Sequence, residues 1–166
     1  MKKRIILVTG GQRSGKSLFA EQMAKSLSAN PVYVATAHVE DEEFRERVRI
    51  HQERRGPEWT TIEEEKYLSR HTVEGRVVLV DCCTLWLTNF FSEASPLSQI
   101  EAEFDRLTAQ EATFIFVTNE IGLGGTSANE VQRRFTDLLG TFNQYVAQRA
   151  DVVYMLVSGL SIKLKG

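Results

Sequence analysis

Short apolar runs alternate along the chain with longer segments whose apolar residues recur at helical spacing. Five runs are rich in β-branched and apolar residues: 4–9, 32–36, 76–81, 113–118 and 151–157. Such runs are typical of strands that are covered on both faces, as in a parallel sheet. Ile162 and Leu164 follow a turn at Gly159, and they predict an additional strand at the edge of that sheet.

Four segments between these runs have the periodicity of helices: 17–27, 40–55, 97–109 and 130–149. The last of them has an apolar stripe that includes Phe135, Leu139 and Phe142. Segment 40–55 is different, because it is charged on most faces and has Phe44 and Val48 among its few apolar residues. It predicts a solvated helix or arm and not a core element. Strands that alternate with helices predict an α/β protein with a mostly parallel sheet.

The composition narrows the class of protein. A chain of 166 residues, 42% hydrophobic and 25% charged, is expected to form one globular domain, residues 1–166. Its net charge of −2 offers no basic excess for nucleic acid, and no apolar run is long enough for a membrane span. The apolar run after the basic start is also too short for a signal peptide. Cys82 and Cys83 are neighbours with no other cysteine to pair with, which favours a cytoplasmic protein.

The strongest motif is GGQRSGKS at residues 10–17, which matches G-x-x-x-x-G-K-[ST]. It follows a predicted strand and opens a predicted helix, the context in which this motif forms a phosphate-binding P-loop. Its glycines let backbone N–H groups surround a phosphate, and the helix N-terminus adds further donors. Lys16 would bring positive charge to the β- and γ-phosphates, and the Ser17 hydroxyl is a ligand type for Mg²⁺.

Two acidic residues stand where predicted strands end. Asp81 ends the run 76–81, and we interpret it as the second protein ligand of Mg²⁺; the alternative is that it caps the next helix. Glu120 follows the run 113–118. For Glu120 two interpretations stay open. It could have a functional role, as a base, as a group near the metal or as a substrate contact, or it could cap the loop.

A basic cluster surrounds one histidine in segment 45–55. It consists of His51 and five arginines: Arg45, Arg47, Arg49, Arg54 and Arg55. One interpretation is a basic solvated helix face. The other is a triphosphate site with a nucleophile, because arginines bind phosphates and histidine forms covalent intermediates. Trp59 and Glu63 follow and are candidates to hold a purine ring and a guanine edge.

These motifs together resemble a known family, the bifunctional adenosylcobinamide kinase / adenosylcobinamide-phosphate guanylyltransferases of cobalamin biosynthesis. The matching stretches are LVTGGQRSGKS (7–17), YVATA (33–37), HQERRGPEW (51–59), TTIEEE (60–65), VDCCTLWLTN (80–89), VTNEIGLG (117–124) and DVVYMLVSGL (151–160). They span essentially the whole chain. The resemblance implies a P-loop NTPase (RecA-like) three-layer sandwich with a mostly parallel central sheet.

The resemblance also implies the reactions. In that family GTP or ATP phosphorylates a hydroxyl of adenosylcobinamide, and GTP then guanylylates the product through a GMP–histidine intermediate. The histidine corresponds to His51, and Lys16 is the second catalytic residue. The residues that correspond to nucleotide contacts are Gly10, Gly11, Gln12, Arg13, Ser14, Gly15, Lys16, Ser17, Thr36, Ala37, His38, Gln52, Glu53, Arg54, Arg55, Glu63 and Asp81.

Several expectations stay open on the sequence alone. The family suggests a homotrimer with active sites near subunit interfaces. A ligand as large as a corrinoid is expected to dock on a surface shared between chains. Trp86 and Phe90 are one helical turn apart, which is typical of helix packing or of such a docking surface. The competing functions are a P-loop kinase for another small molecule without guanylyl transfer, and a GTP-binding regulatory module. A regulatory module would usually carry an N-K-x-D motif, which the sequence lacks.

Overall fold

The computed structural model describes residues 1–38 and 40–166, and of Arg47 it describes the backbone alone. Within this part, the strands are β1 (Arg4–Gly10), β2 (Val32–Ala35), β3 (Thr60–Glu63), β4 (Val77–Asp81), β5 (Thr113–Val117), β6 (Val152–Val157) and β7 (Leu160–Lys165). They form one sheet in the order β3-β2-β4-β5-β1-β6-β7. All neighbours pair in parallel except β6 and β7, which are antiparallel. The sheet is therefore mostly parallel, as the apolar runs predict.

The six strands predicted from the sequence are confirmed, each within two residues at its ends. The one strand that the pattern does not predict is β3, which pairs with β2 at the other edge of the sheet. It has only four residues, and three of them are exposed. A strand of this length with polar, exposed side chains has no apolar run by which it could be recognised.

The helices of the described residues are α1 (Lys16–Leu27), α2 (Glu42–Arg54), α3 (Cys83–Phe90), α4 (Pro96–Leu107) and α5 (Glu130–Arg149), with a short 3-10 helix at Leu68–Arg70. The four predicted helices correspond to α1, α2, α4 and α5. For helix α3 the sequence predicts no bounds, only a helix after Asp81 and the one-turn spacing of Trp86 and Phe90, because eight residues are too few for a clear helical period. Helix α2 is solvated as expected, since none of its described side chains is buried.

The core lies on both faces of the sheet and gives the molecule three layers. Ala20 and Ala24 of α1 pack on one face against Ile6 and Val8 of β1. Helices α3, α4 and α5 cover the other face with large side chains: Trp86, Leu87, Phe90, Ile100, Phe104, Leu139 and Phe142. The predicted α/β three-layer sandwich of the RecA-like kind is confirmed. Trp86 and Phe90 are fully buried in this core, so packing is the correct interpretation and these two rings are not a docking surface.

The fold brings the carboxyl ends of the parallel strands to one edge of the sheet, where ligands bind in open α/β proteins. The P-loop follows β1 there, and Asp81 is the last residue of β4. The turn between β6 and β7 supports the P-loop, because the Gly159 N–H donates to the Ser14 carbonyl at 2.8 Å. Among the described helices, none combines the length and apolar character that crossing a bilayer requires.

Candidate active site

The P-loop has the backbone shape that its glycines allow. A Cβ at Gly10 would meet the Ser14 Oγ at 2.7 Å and the Leu156 carbonyl oxygen at 2.8 Å, so only glycine fits there. Gly15 has a φ of +94° and lies directly before α1, where a Cβ would also contact the Gly159 Cα at 3.3 Å. The loop therefore packs closely on the β6–β7 turn and presents backbone donors at a helix start, as anion binding requires.

Lys16 and Ser14 are the buried polar side chains of this loop. The Lys16 ammonium donates to the Gly11 carbonyl at 2.9 Å. Burial lowers the pKa of Lys16, and the nearby Cys82 and Asp81 oppose that shift. The Ser14 hydroxyl has no hydrogen-bond partner within the described part of the chain. A buried donor without a partner costs free energy, so an anion held by the loop would satisfy it.

A cleft of about 300 Å³ brings together residues that are far apart in the sequence. It is lined by Ser17, Tyr33, Ala35, Ala37, Phe44, Val48, His51, Arg55, Asp81 and Leu85. Ser17 comes from the P-loop helix, Asp81 from the end of β4, and His51 from α2. The predicted nucleophile therefore faces the same cleft as the two predicted metal ligands.

Asp81 does not cap the following helix. The N-cap residue of α3 is Cys82, which makes no side-chain capping hydrogen bond. The Asp81 carboxylate instead accepts from the Tyr33 hydroxyl at 2.9 Å and remains half-buried at the cleft. Of the two interpretations of Asp81, the capping role is wrong, and its place beside Ser17 suits a metal ligand, because Mg²⁺ prefers one or two protein oxygen ligands together with substrate phosphates.

Arg55 is the buried cation of the cleft, with 4% of its surface exposed. The central carbon of its guanidinium lies 3.4 Å from the centroid of the Tyr33 ring, a cation–π contact. Its Nε and Nη1 atoms find no acceptor among the described residues. Since guanidinium groups bind phosphates through paired N–H donors, these two atoms are suited to an oxyanion in the cleft.

The other arginines of the basic cluster whose side chains are described do not line the cleft. Arg49 is exposed and forms ion pairs with Glu46 and Glu53, so its charge is neutralised locally. Arg54 is exposed on the last turn of α2. The side chain of Arg47 lies outside the described residues. Among the arginine side chains of the cluster that the structure describes, Arg55 is thus the one that lines the cleft with His51.

The remaining predicted nucleotide contacts differ in where the structure places them. Ala37 lines the cleft, whereas the Thr36 side chain is buried and donates to the Cys82 carbonyl at 3.0 Å. Gln52 donates to Glu63 at 3.0 Å, which links the end of α2 to β3. His38 is exposed and bonds to Glu65 at 2.7 Å; this hydrogen bond raises the pKa of His38. Gln12 and Arg13 are exposed on the P-loop.

Trp59 does not offer a face to a purine. It is buried and packs edge-on against Tyr33, with ring centroids 6.0 Å apart. Glu120 lies beside the P-loop strand, where its carboxylate accepts from the Thr9 hydroxyl at 2.9 Å. Burial raises the pKa of the Cys82 thiol to about 11 and that of Cys83 well above its ordinary value, so both are inert, as expected of small packing residues.

Two residues of the site were missed by the sequence reasoning. Tyr33 was assigned to a buried strand, although its hydroxyl reaches the cleft and contacts Asp81. Glu21 of α1 was not considered, yet it interacts electrostatically with Asp81, Arg55 and His51. Its position four residues after Ser17 puts it on the same side of the helix, which is a signal that helical spacing could have provided.

The fold and the cleft together define a P-loop NTPase of RecA-like fold whose P-loop faces a histidine-bearing helix. The family model described as cobinamide kinase / cobinamide phosphate guanyltransferase matches residues 6–164, and the chain belongs to this family. It is 40% identical to the bifunctional adenosylcobalamin biosynthesis protein CobP of Pseudomonas aeruginosa, over 96% of each chain. It is 33% identical to the bifunctional adenosylcobalamin biosynthesis protein CobU of Escherichia coli, over 97% of this chain and 99% of that one.

Solved structures support the fold. A protein of Pyrococcus horikoshii described as project PH0250 superposes with a TM-score of 0.58, at 8% identity, over 100% of this chain and 88% of its own. The flagellar accessory protein FlaH of Methanocaldococcus jannaschii gives a TM-score of 0.53, at 18% identity, over 98% of this chain and 78% of its own. At these identities the likeness concerns the architecture alone.

Proposed function

We propose that residues 1–166 form one nucleotide-binding domain that phosphorylates adenosylcobinamide and then transfers GMP to the product. The observation that carries this proposal is the position of His51 in the same cleft as Ser17 and Asp81. A P-loop kinase for another small molecule needs the loop and a metal ligand but no histidine nucleophile. Membership of the cobinamide kinase / guanyltransferase family supports the same assignment.

The nucleotide of the proposal is GTP, with ATP as a possible donor for the kinase step. The P-loop amides and Lys16 would bind its β- and γ-phosphates, and Arg55 has donors free for a further oxyanion. Mg²⁺ would be held by the Ser17 hydroxyl and the Asp81 carboxylate. When bound, it neutralises charge that develops on the phosphate oxygens.

In the kinase step, the side-chain hydroxyl oxygen of adenosylcobinamide attacks the γ-phosphorus. The bond between this phosphorus and the bridging oxygen breaks, the nucleoside diphosphate leaves with the electron pair, and the hydroxyl proton passes to solvent. Lys16 and the loop amides hold the leaving diphosphate and stabilise its developing charge. The contribution of the protein is therefore positioning and electrostatic stabilisation.

In the guanylyl transfer, an imidazole nitrogen of His51 attacks the α-phosphorus of GTP, and pyrophosphate leaves. A phosphate oxygen of adenosylcobinamide phosphate then attacks the same phosphorus, the phosphorus–nitrogen bond breaks, and adenosylcobinamide-GDP is released with His51 regenerated. Covalent catalysis of this kind divides one difficult displacement into two. Arg55 would stabilise the pyrophosphate, since its guanidinium borders the cleft.

The proposal extends to the assembly, for which we infer a homotrimer. Leu160, Ile162 and Leu164 of the edge strand β7 are 72%, 51% and 59% exposed. An edge strand with exposed apolar residues is suited to a contact between copies. Active sites near such contacts would allow a neighbouring subunit to contribute to corrinoid binding.

The test of the proposal uses the complete protein with adenosylcobinamide, Mg²⁺ and α-labelled GTP. We expect His51→Ala to lose protein labelling and adenosylcobinamide-GDP formation by at least about a hundredfold, because the nucleophile is gone. Phosphorylation of adenosylcobinamide should continue in this variant. Lys16→Ala should lower both activities by about a hundredfold or more, because both reactions use the same phosphate site.

The matched control is His71→Gln, which changes a histidine that bonds to Glu64 at 3.3 Å and does not line the cleft. It should retain labelling and both activities. Stable label in His51→Ala would refute the assignment of the nucleophile. Phosphorylation by the wild-type protein with no label and no guanylylated product would favour the kinase without guanylyl transfer, and GTP hydrolysis without either product would favour a regulatory module.

A further inference from the structure

The Tyr33 side chain contacts two charged groups, Asp81 and Arg55, that line the same cleft as His51. We propose that Tyr33 is a positioning residue of this site: its hydroxyl orients the Asp81 carboxylate, and its ring face holds the Arg55 guanidinium. The inference deepens the proposed function and rests on it for the roles of Asp81 and Arg55. A single residue of β2 would thus align both the proposed metal ligand, Asp81, and the proposed phosphate-binding group, Arg55.

The contact with Asp81 follows from the register of the sheet. Tyr33 pairs with Leu79, and Ala35 pairs with Asp81, so the Tyr33 hydroxyl reaches two pairs along the sheet, to the next residue of β4 on the same face. It donates to the Asp81 Oδ2 at 2.9 Å. The phenol carries the hydrogen of this bond, because an ionised carboxylate can only accept. A carboxylate with one oxygen held in this way presents the other in a fixed direction.

The contact with Arg55 depends on the ring. The guanidinium lies over the Tyr33 face at 3.4 Å, and both side chains are buried, with 7% and 4% of their surfaces exposed. The ring contact replaces hydration without using the N–H donors, because the ring contacts the flat side of the guanidinium. Nε and Nη1 therefore keep their hydrogen-bonding capacity, and no described residue accepts from them.

A second tyrosine shows that the arrangement by itself does not define a site. The Tyr145 hydroxyl donates to Asp105 at 2.6 Å, and the Arg149 guanidinium lies 3.3 Å from the Tyr145 ring centroid. There, however, Arg149 donates to the Tyr145 carbonyl and pairs with Asp105, and its side chain is 41% exposed. Burial and the unused donors distinguish the Tyr33 group, and Tyr145 provides a matched control.

The first experiment measures the affinity of the protein for GTP in the presence of Mg²⁺ and in the presence of EDTA. The metal enhancement is the affinity with Mg²⁺ divided by the affinity with EDTA. In Tyr33→Phe, which keeps the ring, we expect this enhancement to fall about tenfold, since hydrogen bonds to charged groups are the stronger class. The affinity in EDTA should stay within about twofold of the wild type, because the ring still holds Arg55. Tyr145→Phe should change neither value.

An unchanged metal enhancement in Tyr33→Phe would overturn the role of the hydroxyl. This outcome is separable from failure of the proposed function, because binding of GTP is measured without an acceptor and without labelling of His51. If the wild-type protein binds GTP with Mg²⁺ enhancement but His51 is never labelled, guanylyl transfer is refuted. The Tyr33 experiment can still be carried out and interpreted in that case.

The second experiment tests the ring through Arg55. Tyr33→Leu should weaken GTP binding in EDTA about tenfold in the wild-type background and less than about twofold in the Arg55→Ala background, as expected for coupled residues. Equal losses in both backgrounds would show that the ring does not act through Arg55. Arg55→Lys keeps the charge and most of the length of the side chain, so it repeats the test with a smaller packing change than Arg55→Ala. Full affinity in Arg55→Lys would also contradict the proposal.

Discussion

Glu21 lies on α1 four residues after Ser17, and it is an acidic residue that does not belong to the P-loop motif. Burial raises its pKa, and the Asp81 charge raises it further, while Arg55, Arg54 and His51 act in the opposite direction. The folded protein therefore binds a proton to Glu21 more tightly than the unfolded chain does. Stability contributed by the protonated carboxyl is lost as the pH rises through the folded pKa.

We expect Glu21→Gln to be more stable than the wild type at pH 7, because the amide cannot ionise in the half-buried position. The difference should shrink as the pH falls towards 4, where Glu21 becomes protonated in both states. Thermal unfolding of both proteins at the two pH values measures this. A variant that is less stable than the wild type at pH 7 would show that the interactions with the arginines outweigh burial.

At the scale of single residues, the sequence motifs predicted Lys16, Ser17, Asp81 and His51, because each stands at a fixed position within a recognisable pattern. Tyr33 could not be predicted in this way. Its role depends on a hydrogen bond between two strands that are 48 positions apart in the chain, and nothing in the local pattern around it records the contact. Nor could the sequence separate the members of the basic cluster: Arg55 lines the cleft, whereas Arg49 is paired with Glu46 and Glu53 on its own helix.

At the scale of elements, α5 contains a glycine that neither a turn nor a close contact requires. Gly140 lies inside the helix, and a Cβ added there would have no atom within 4 Å. Glycine in a helix interior is less favourable than alanine, because it loses more conformational entropy on folding. We expect Gly140→Ala to raise the free energy of unfolding by about 0.5–1 kcal/mol, measured by urea denaturation.

The matched control for this change is Gly15→Ala, which should have the opposite sign. Gly15 has a positive φ, and its Cβ would approach the Gly159 Cα at 3.3 Å. We therefore expect a lower free energy of unfolding and weaker binding of GTP. If Gly140→Ala instead destabilises the protein, the surface around Gly140 must be covered by another chain.

The elements themselves were largely predictable, because the apolar runs of a parallel sheet and the stripe of α5 are strong local signals. The strand β3, which was missed, has four residues, and the helix α3, whose bounds were not predicted, has eight. Neither is long enough for its pattern of apolar residues to show whether it is a strand or a helix. Contacts with neighbouring elements determine the structure of both. Pairing with β2 defines the first, and burial of Trp86 and Phe90 defines the second.

At the scale of the whole molecule, the two edges of the sheet differ in how they meet solvent. The β3 edge has polar exposed residues, and Gln52 of α2 donates to Glu63 there. The β7 edge has alternating apolar residues that remain exposed. A sheet edge of the second kind is a site of association unless it is protected. The proposed homotrimer would cover it, and the charge of −2, close to zero, does not oppose contact between copies.

The edge strand therefore provides the test of the assembly. Ile162→Lys places a charge at the centre of β7, where burial in a contact between copies would be costly. We expect the variant to sediment as a monomer at concentrations at which the wild type is a trimer, with its thermal unfolding little changed, since Ile162 is exposed within the chain.

Leu27→Lys, at the exposed end of α1, is the control and should leave the assembly intact. A trimer that persists in Ile162→Lys would exclude β7 as the contact, and a monomeric wild type would refute the inferred assembly. Loss of adenosylcobinamide phosphorylation together with the trimer would indicate that a neighbouring subunit completes the corrinoid site.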